Sequence, residues 1–99
     1  MPYVVVARYR TLPGRQDEVL ALLDTMAEAS RREPGNRQYR VHQSTEDPRT
    51  VVLYEEYGTA ADFEAHCASE HFQDLVLGRV VPLLEEREVL RLTPREEGA

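Results

Sequence analysis

The sequence predicts an α+β domain with a four-stranded antiparallel sheet and helices on one face of that sheet. Strand-like and helix-like segments follow one another in the order β-α-β-β-α-β, which is the ferredoxin-like arrangement. The length of 99 residues is close to the usual size of one domain with one hydrophobic core. A composition that is 41% hydrophobic and 30% charged is typical of a globular protein and unlike a disordered or membrane one.

The first half of the chain supplies a strand and a helix. The strand runs from Tyr3 to Thr11, is rich in β-branched and aromatic residues, and ends at Leu12-Pro13-Gly14. The helix that follows has apolar residues at three- and four-residue spacing, namely Val19, Leu22, Leu23 and Met26. Glu33-Pro34-Gly35-Asn36 ends it, because proline cannot continue a helix and glycine permits the chain to reverse.

The second half begins with a predicted hairpin. Its strands run from Arg37 to Thr45 and from Thr50 to Tyr57, with a turn between them. Thr59 is the expected N-cap of a second helix, which continues to Ser69. A further helical piece is predicted over residues 72–84 and the last strand over 87–93. We therefore expect one domain over residues 1–93 and a flexible, charged tail over 94–99.

Two of the predicted strands are apolar on both of their faces. The runs are Val4-Val5-Val6-Ala7 in the first strand and Val51-Val52-Leu53-Tyr54 in the third. An antiparallel sheet with one face in water alternates apolar with polar residues, and the helices of this arrangement cover only one face. We therefore expect a second copy of the chain to cover the other face, which predicts a homodimer.

Charge and composition exclude several classes of function. The net charge of −6 argues against non-specific nucleic-acid binding, and the apolar runs are far too short to span a membrane. All twelve basic residues are arginine, so a lysine Schiff base is not available. The single cysteine, Cys67, cannot form an internal disulfide and no export signal is recognised, so the cytoplasm is the expected location.

The most informative segment, residues 55–72, contains two of the three histidines. Phe63 and His66 share one face of the predicted helix by their spacing, so we expect His66 to point towards the sheet. There it is either a core residue, hydrogen-bonded to a backbone carbonyl or to Glu55, or a general base that faces a ligand. Spacing alone leaves both interpretations open.

His71 lies five residues beyond His66, which is about 140° round a helix of 3.6 residues per turn. The two imidazoles therefore do not share a face unless the helix breaks between them, at Ser69-Glu70. No second cysteine or close third ligand stands at a spacing typical of zinc sites. The sequence thus predicts no metal site, and His42, on the polar side of its strand, is expected to be exposed.

Four motifs of this chain stand in the order found in a known family. They are Pro13-Gly14, Glu33-Pro-Gly35-Asn-x-x-Tyr39, Asp47-Pro48 and Glu55-x-Tyr57-x-Thr59-x-Ala61-x-Phe63-x-x-His66-x-x-Ser69-x-His71-Phe72. Together they resemble the antibiotic biosynthesis monooxygenase (ABM) family over residues 3–93, and the histidine block is closest to the quinol-oxidising members. The resemblance implies a ferredoxin-like dimeric α+β barrel, in agreement with the homodimer expected from the strands.

The resemblance also implies a monooxygenase that needs no metal, flavin or haem and acts on a small aromatic substrate, such as a quinol or polyketide. A base removes a phenolic or enolic proton, and the resulting anion passes an electron to dioxygen. By this resemblance His66 is the base, and Glu55 orients it or shares its proton. The implied substrate contacts are Tyr39, Tyr57, Phe63 and, at the mouth of the site or behind the base, His71.

Two departures from the family pattern narrow the substrate. Tyr57 stands where anthrone-oxidising members have tryptophan, which favours a quinol over an anthrone. The chain has no tryptophan and no histidine near Leu75 to Gly78, so haem degradation is not expected.

Two other functions remain open. One is an isomerase that uses the same base on an enolisable, sugar-phosphate-like molecule, which an arginine facing the cavity would favour. The other is a non-catalytic dimer that binds a small ligand. A cavity filled by side chains, or a His66 bonded only to backbone, would favour that interpretation.

Overall fold

The computed structural model describes residues 2–95, and these have the predicted element order. The strands are β1 (Tyr3–Thr11), β2 (Asn36–Gln43), β3 (Thr50–Tyr57) and β4 (Leu84–Leu92). The helices are α1 (Gln16–Arg31), α2 (Ala60–Ala68) and α3 (Phe72–Val80), of which α3 has the wider hydrogen bonding of a π-helix. The strands form one antiparallel sheet in the order β2-β3-β1-β4, so the predicted ferredoxin-like α+β fold is confirmed.

Residue type alone predicted several boundaries correctly. β1 and β3 begin and end at the predicted residues. Thr59 caps α2 as expected, since its hydroxyl accepts a hydrogen bond of 3.2 Å from the backbone N–H of Asp62.

Other boundaries differ from the prediction. β2 ends at Gln43, two residues early, because the Ser44 hydroxyl accepts bonds from the backbone N–H groups of Glu46 and Asp47 and starts the turn there. β4 begins at Leu84, three residues early, since a short 3₁₀ turn over Val81–Leu83 ends the helical region. Residues 96–99, most of the predicted flexible tail, lie outside the described residues.

The helix-facing side of the sheet holds two apolar clusters. The larger one lies under α1 and α3, and its buried members are Ala7, Tyr9, Val19, Leu22, Leu23, Met26, Ala27, Tyr39, Val51, Leu53, Val76 and Val80. The smaller one lies under α2 and joins Val5, Tyr57 and Phe63. The candidate site lies where the two clusters meet.

The pairing of β1 with β4 decides which residues of β4 face the helices. Val5 pairs with Arg91 and Tyr9 with Arg87, so both arginines lie on the helix-facing side with the core residues of β1. The pairing shifts at the Arg10–Thr11 step, where β4 contains one extra residue.

The opposite side of the sheet is partly apolar, as the two apolar runs predicted. Val6, Val52 and Tyr54 are half-buried on this side. Leu90 and Leu92 of β4 extend it and are 45% and 42% exposed. Among the described residues, no helix is long and apolar enough to cross a membrane.

Candidate active site

A cavity of about 210 Å³ lies between the sheet and the ends of α2 and α3. Its apolar and aromatic walls come from Val5, Ala7, Tyr9, Tyr39, Phe63, Phe72 and Val89. Its polar groups are Glu55, His66, Cys67, Arg87 and Arg91. Apolar and aromatic side chains combined with a few convergent ionisable groups are typical of a small-molecule site.

His66 lies at the inner end of this cavity and is 2% exposed. Aromatic rings surround its imidazole: the ring centroids of Tyr57 and Phe72 lie 5.3 Å away, and those of Tyr39 and Phe63 lie 5.8 and 6.0 Å away. This burial lowers the pKa of His66 below its usual value, because a charged imidazolium loses its hydration there. The side chain is therefore neutral at neutral pH and able to accept a proton.

Glu33, in the connection between α1 and β2, holds the imidazole in place. Its carboxylate oxygens lie 2.9 and 3.1 Å from Nδ1 of His66. Because a neutral histidine carries one N–H, this bond places the proton on Nδ1 and leaves Nε2 with a free lone pair. The ring thus bonds to a carboxylate, and neither to backbone nor directly to Glu55.

Glu55 lies on the Nε2 side of the same ring. Its Oε1 is 3.7 Å from Nε2, and it accepts a hydrogen bond of 2.6 Å from the Tyr57 hydroxyl. Burial raises the pKa of Glu55 to about 7, although the Tyr57 hydroxyl and the charge of Arg87 oppose this. Glu55 therefore changes its charge near neutral pH, directly beside the free lone pair of His66.

His71 approaches the same carboxylate from another direction. The backbone of Ser69 is extended, which ends α2, and its hydroxyl donates to the carbonyl of His66 and accepts from the N–H of Phe72. Beyond this break the chain turns, and Nε2 of His71 lies 2.5 Å from Oε2 of Glu33. The expectation that the two imidazoles do not share a face applied to a continuous helix, and the break at Ser69 brings both of them to one carboxylate.

This arrangement also bears on metal binding. One ligand atom each from Glu33, His66 and His71 lies within 4.8 Å of the others, and two imidazoles with a carboxylate suit zinc or iron. Direct hydrogen bonds already join the three side chains, so their polar groups are satisfied without an ion. A metal ion here would have to displace the Nδ1 proton of His66.

The residues predicted for the site fall into two groups. Tyr39, Phe63, Glu55 and His66 line the cavity. Tyr57 and His71 are not among the lining residues: the first lies behind Glu55 and the second behind Glu33. His42 is exposed on β2, as predicted.

The contact of Glu33 with His66 was not predicted. Glu33 was expected only as part of the segment that ends the first helix. Two glycines bring this connection against α2. The N–H of Gly58 donates to the carbonyl of Gly35 at 3.0 Å, and a Cβ on Gly35 would collide with the side chain of Asp62. Gly35 is the local sequence feature that reflects the close packing of this connection on α2. Nothing in the sequence near Glu33 indicates that its partner is His66.

Arg87 and Arg91 of β4 were also missed, and both reach the cavity wall. The guanidinium carbon of Arg91 lies 5.3 Å from the centroid of the Phe63 ring, and that of Arg87 lies 6.0 Å from the centroid of the Tyr9 ring. These distances are typical of cation–π contacts, which orient a guanidinium group against an aromatic face.

The fold and the site define a small ferredoxin-like protein with a histidine, held by a carboxylate, at the end of a cavity lined by aromatic, apolar and ionisable side chains. The family model described as antibiotic biosynthesis monooxygenase matches residues 2–76. The chain therefore belongs to this family, and the resemblance seen in its motifs is confirmed.

Named relatives and solved structures agree with this membership. The chain is 34% identical over 71 residues to the protein named "Putative monooxygenase Rv0793" of Mycobacterium tuberculosis, covering 72% of this chain and 69% of that one. YcnE of Bacillus subtilis, which carries the same provisional description, is 29% identical over 73 residues, covering 74% and 77% of the two chains. The solved structure of Rv0793 superposes with a TM-score of 0.92 at 30% identity and covers 100% of both chains. These names support a monooxygenase-type function on a small molecule.

Proposed function

We propose that this protein is a cofactor-independent monooxygenase that oxidises a small aromatic substrate, a quinol or a related polyketide phenol, with dioxygen. The observation that carries the proposal is the geometry of His66: Glu33 bonds its Nδ1, and its Nε2 side faces the cavity and Glu55. A buried, neutral imidazole with a free lone pair beside an apolar cavity is suited to take a phenolic proton.

The reaction needs no external reductant, because the substrate supplies all the electrons. Removal of the phenolic proton gives an electron-rich anion, which passes one electron to dioxygen. The resulting semiquinone and superoxide form a carbon–oxygen bond, and loss of water from the hydroperoxide leaves a carbonyl. A hydroquinone and one dioxygen thus give one hydroxyquinone and one water, with one oxygen atom retained on the ring and the other released in the water. The protein has to hold the ring, remove the proton and limit access of water.

The groups around His66 have separate roles in this proposed reaction. His66 accepts the substrate proton on Nε2, and the carboxylate of Glu33 stabilises the imidazolium that forms. Glu55 adds a second negative charge near Nε2 once it ionises. Tyr39, Phe63 and Phe72 offer aromatic faces for the substrate ring.

The test measures oxygen uptake with a panel of hydroquinones and anthrones. His66→Asn is the informative variant, because an asparagine amide can still donate to Glu33 but cannot act as a base. We expect kcat to fall by about 10²- to 10⁴-fold. Asp74→Asn changes an exposed side chain of α3, outside both the cavity and the open sheet face, and serves as the control.

Two results would count against the proposal. Equal rates for wild type and His66→Asn would remove His66 as the base. A lack of uptake with every compound of the panel would remove the monooxygenase proposal.

An isomerase acting on an enolisable substrate is the second candidate, and Arg87 and Arg91 on the cavity wall support it. A sugar-phosphate-like substrate would place its phosphate against these cations and its acidic C–H near His66. Exchange of that hydrogen for deuterium in heavy water without oxygen, followed by NMR, would distinguish this reaction from oxygenation.

A non-catalytic role receives less support. The open cavity fits ligand binding and catalysis equally, but the His66 ring bonds to a carboxylate side chain, whereas a ring bonded only to backbone would favour a non-catalytic protein.

We also propose that the protein works as a homodimer in the cytoplasm, with the open sheet face as the interface. The apolar side chains on that face support a second copy of the chain as the covering partner, since they include the exposed Leu90 and Leu92. Sedimentation at micromolar concentration should give a dimer, and Leu90→Arg should weaken it. A wild-type protein that sediments as a monomer would contradict this proposal.

A further inference from the structure

Two arginines that line the cavity have no carboxylate partner among the described residues. The chain has eighteen acidic and twelve basic residues, so a carboxylate partner is readily found. Arg8, Arg10, Arg15 and Arg49 each form a salt bridge with one. Within residues 2–95 the other arginines form none, and of these Arg87 and Arg91 are the two that line the cavity. The two cations that face the site are thus left for an anion that enters it.

Their placement on β4 orients both side chains towards the same space. They lie on the same side of the strand with Val89 between them, and four residues span about 13 Å of strand. Arg87 contacts the ring of Tyr9 and Arg91 that of Phe63. A guanidinium group carries its N–H donors in a planar fork, and that fork matches the two oxygens of a carboxylate.

The charges elsewhere in the cavity fix the direction in which an anion would bind. Glu55 and, behind His66, Glu33 place acidic groups at the inner end, where a second anion would be repelled. Arg87 and Arg91 are exposed and lie at the outer wall. A substrate with an acidic group at one end and a reactive ring at the other would therefore enter with the ring towards His66.

We infer that Arg87 and Arg91 form a subsite for an anionic group. The substrate of this cavity is then an aromatic acid, with a carboxylate or another acidic group attached to the ring that reacts. The identity of the reacting ring, a quinol or a related phenol, rests on the proposed function. The arginines bind the acidic group, and the apolar wall binds the ring.

A binding experiment with unreactive probes tests the subsite apart from any turnover. The probes are 2,5-dimethoxybenzoate and its methyl ester, which share the same ring and differ in charge and by one methyl group. Calorimetry at low ionic strength should show the acid binding at least about tenfold more tightly than the ester. Arg87→Gln and Arg91→Gln should each weaken binding of the acid by about tenfold and leave the ester unchanged.

Arg79→Gln is the matched control. It removes the same charge from an exposed position on α3, outside the cavity wall. An equal loss in this variant would assign the effect to the general surface potential and overturn the subsite. Equal binding of acid and ester by the wild type, or binding of neither, would also overturn it. Thermal melting of each variant shows whether it remains folded.

Oxygen uptake with 2,5-dihydroxybenzoate and its methyl ester separates this inference from the proposed function. If the dimethoxy acid binds through the arginines but neither dihydroxy compound is oxidised, the subsite stands and the monooxygenase proposal fails. If both dihydroxy compounds are oxidised with the same kcat/KM, the monooxygenase proposal stands and the subsite fails. Faster oxidation of the acid, lost in Arg87→Gln and Arg91→Gln, supports both.

Discussion

The carboxylate of Glu33 lies 2.9 Å from Nδ1 of His66, although the two residues are 33 positions apart in the chain. The same carboxylate bonds to His71, so one acidic group joins two imidazoles. Side-chain exposure rises along this series, from 1% for His66 through 16% for Glu33 to 27% for His71. The three residues thus lead from the buried end of the cavity towards solvent. On the proposed function, they would give a proton taken from the substrate a route out of the cavity.

Replacement of Glu33 tests its positioning role. Glu33→Gln keeps an oxygen that can accept from Nδ1 but removes the negative charge that stabilises the imidazolium. We expect kcat for a hydroquinone to fall by about ten- to hundredfold with little change in KM. Glu46→Gln, in the exposed turn between β2 and β3, is the matched control. A kcat equal to that of wild type would show that Glu33 is only a structural partner of the histidines.

The rate should also depend on the ionisation of Glu55. Its pKa is raised to about 7, so its charge beside Nε2 of His66 develops as the pH passes neutrality. This charge stabilises the imidazolium, and kcat should therefore rise between about pH 6 and 8. Glu55→Gln should lack this rise and keep only the titration of His66, whose lowered pKa places it at more acidic pH. Identical profiles of kcat against pH in the two proteins would contradict the assignment.

The same pKa predicts how stability depends on pH. The folded protein holds the Glu55 proton more tightly than the unfolded chain, since the pKa is raised from 4.5 to about 7. The stabilisation is therefore complete below pH 4.5 and is lost as the pH rises to about 7, by up to about 3 kcal/mol in total.

Urea unfolding of wild type and Glu55→Gln at pH 5 and pH 8 measures this loss. The variant should gain stability relative to wild type between the two values, because its amide does not ionise. His66 contributes in the opposite direction, with stability lost as the pH falls below its ordinary pKa. A difference between the two proteins that stays constant with pH would refute the raised pKa.

Gly35 should be indispensable for the approach of Glu33 to His66. Gly35→Ala places a Cβ against the side chain of Asp62, so the connection must move away from α2. We expect a loss of about 1–3 kcal/mol in stability and a fall in kcat. Gly78→Ala is the control, because its Cβ would meet nothing closer than a carbonyl at 3.4 Å. Asp62→Gly should restore activity to Gly35→Ala, and a failure to do so would locate the defect elsewhere.

The fold could be predicted because its signals are local. β-branched runs define β1 and β3, and the hydroxyl of Thr59 begins α2. The inward direction of His66 followed from its spacing with Phe63, and both are buried.

The site could be predicted only in part, because its remaining members depend on tertiary approach. Glu33 meets His66 because the α1–β2 connection packs on α2, and His71 joins them because α2 ends at Ser69. Neither event leaves a periodic pattern in the sequence. Arg87 and Arg91 lie on a strand with charged residues on both sides, so alternation could not show which side faces the helices.

The alternation of side chains along β4 determines which charges face the cavity. Arg87, Val89 and Arg91 alternate with Glu86, Glu88 and Leu90, and the extra residue opposite the Arg10–Thr11 step decides which set faces His66. A slip of β4 by a single residue would exchange the two sets and replace the cations of the cavity with carboxylates. The sign of the electric field that an entering molecule meets is thus fixed by one bulge at the end of an edge strand. Deletion of the extra residue, Glu85, would keep the cations in place, because Leu84 would still pair with Thr11 and Glu86 with Arg10. A slip that brought Glu85 into the ladder opposite Arg10 would reverse the sign without any substitution in the cavity.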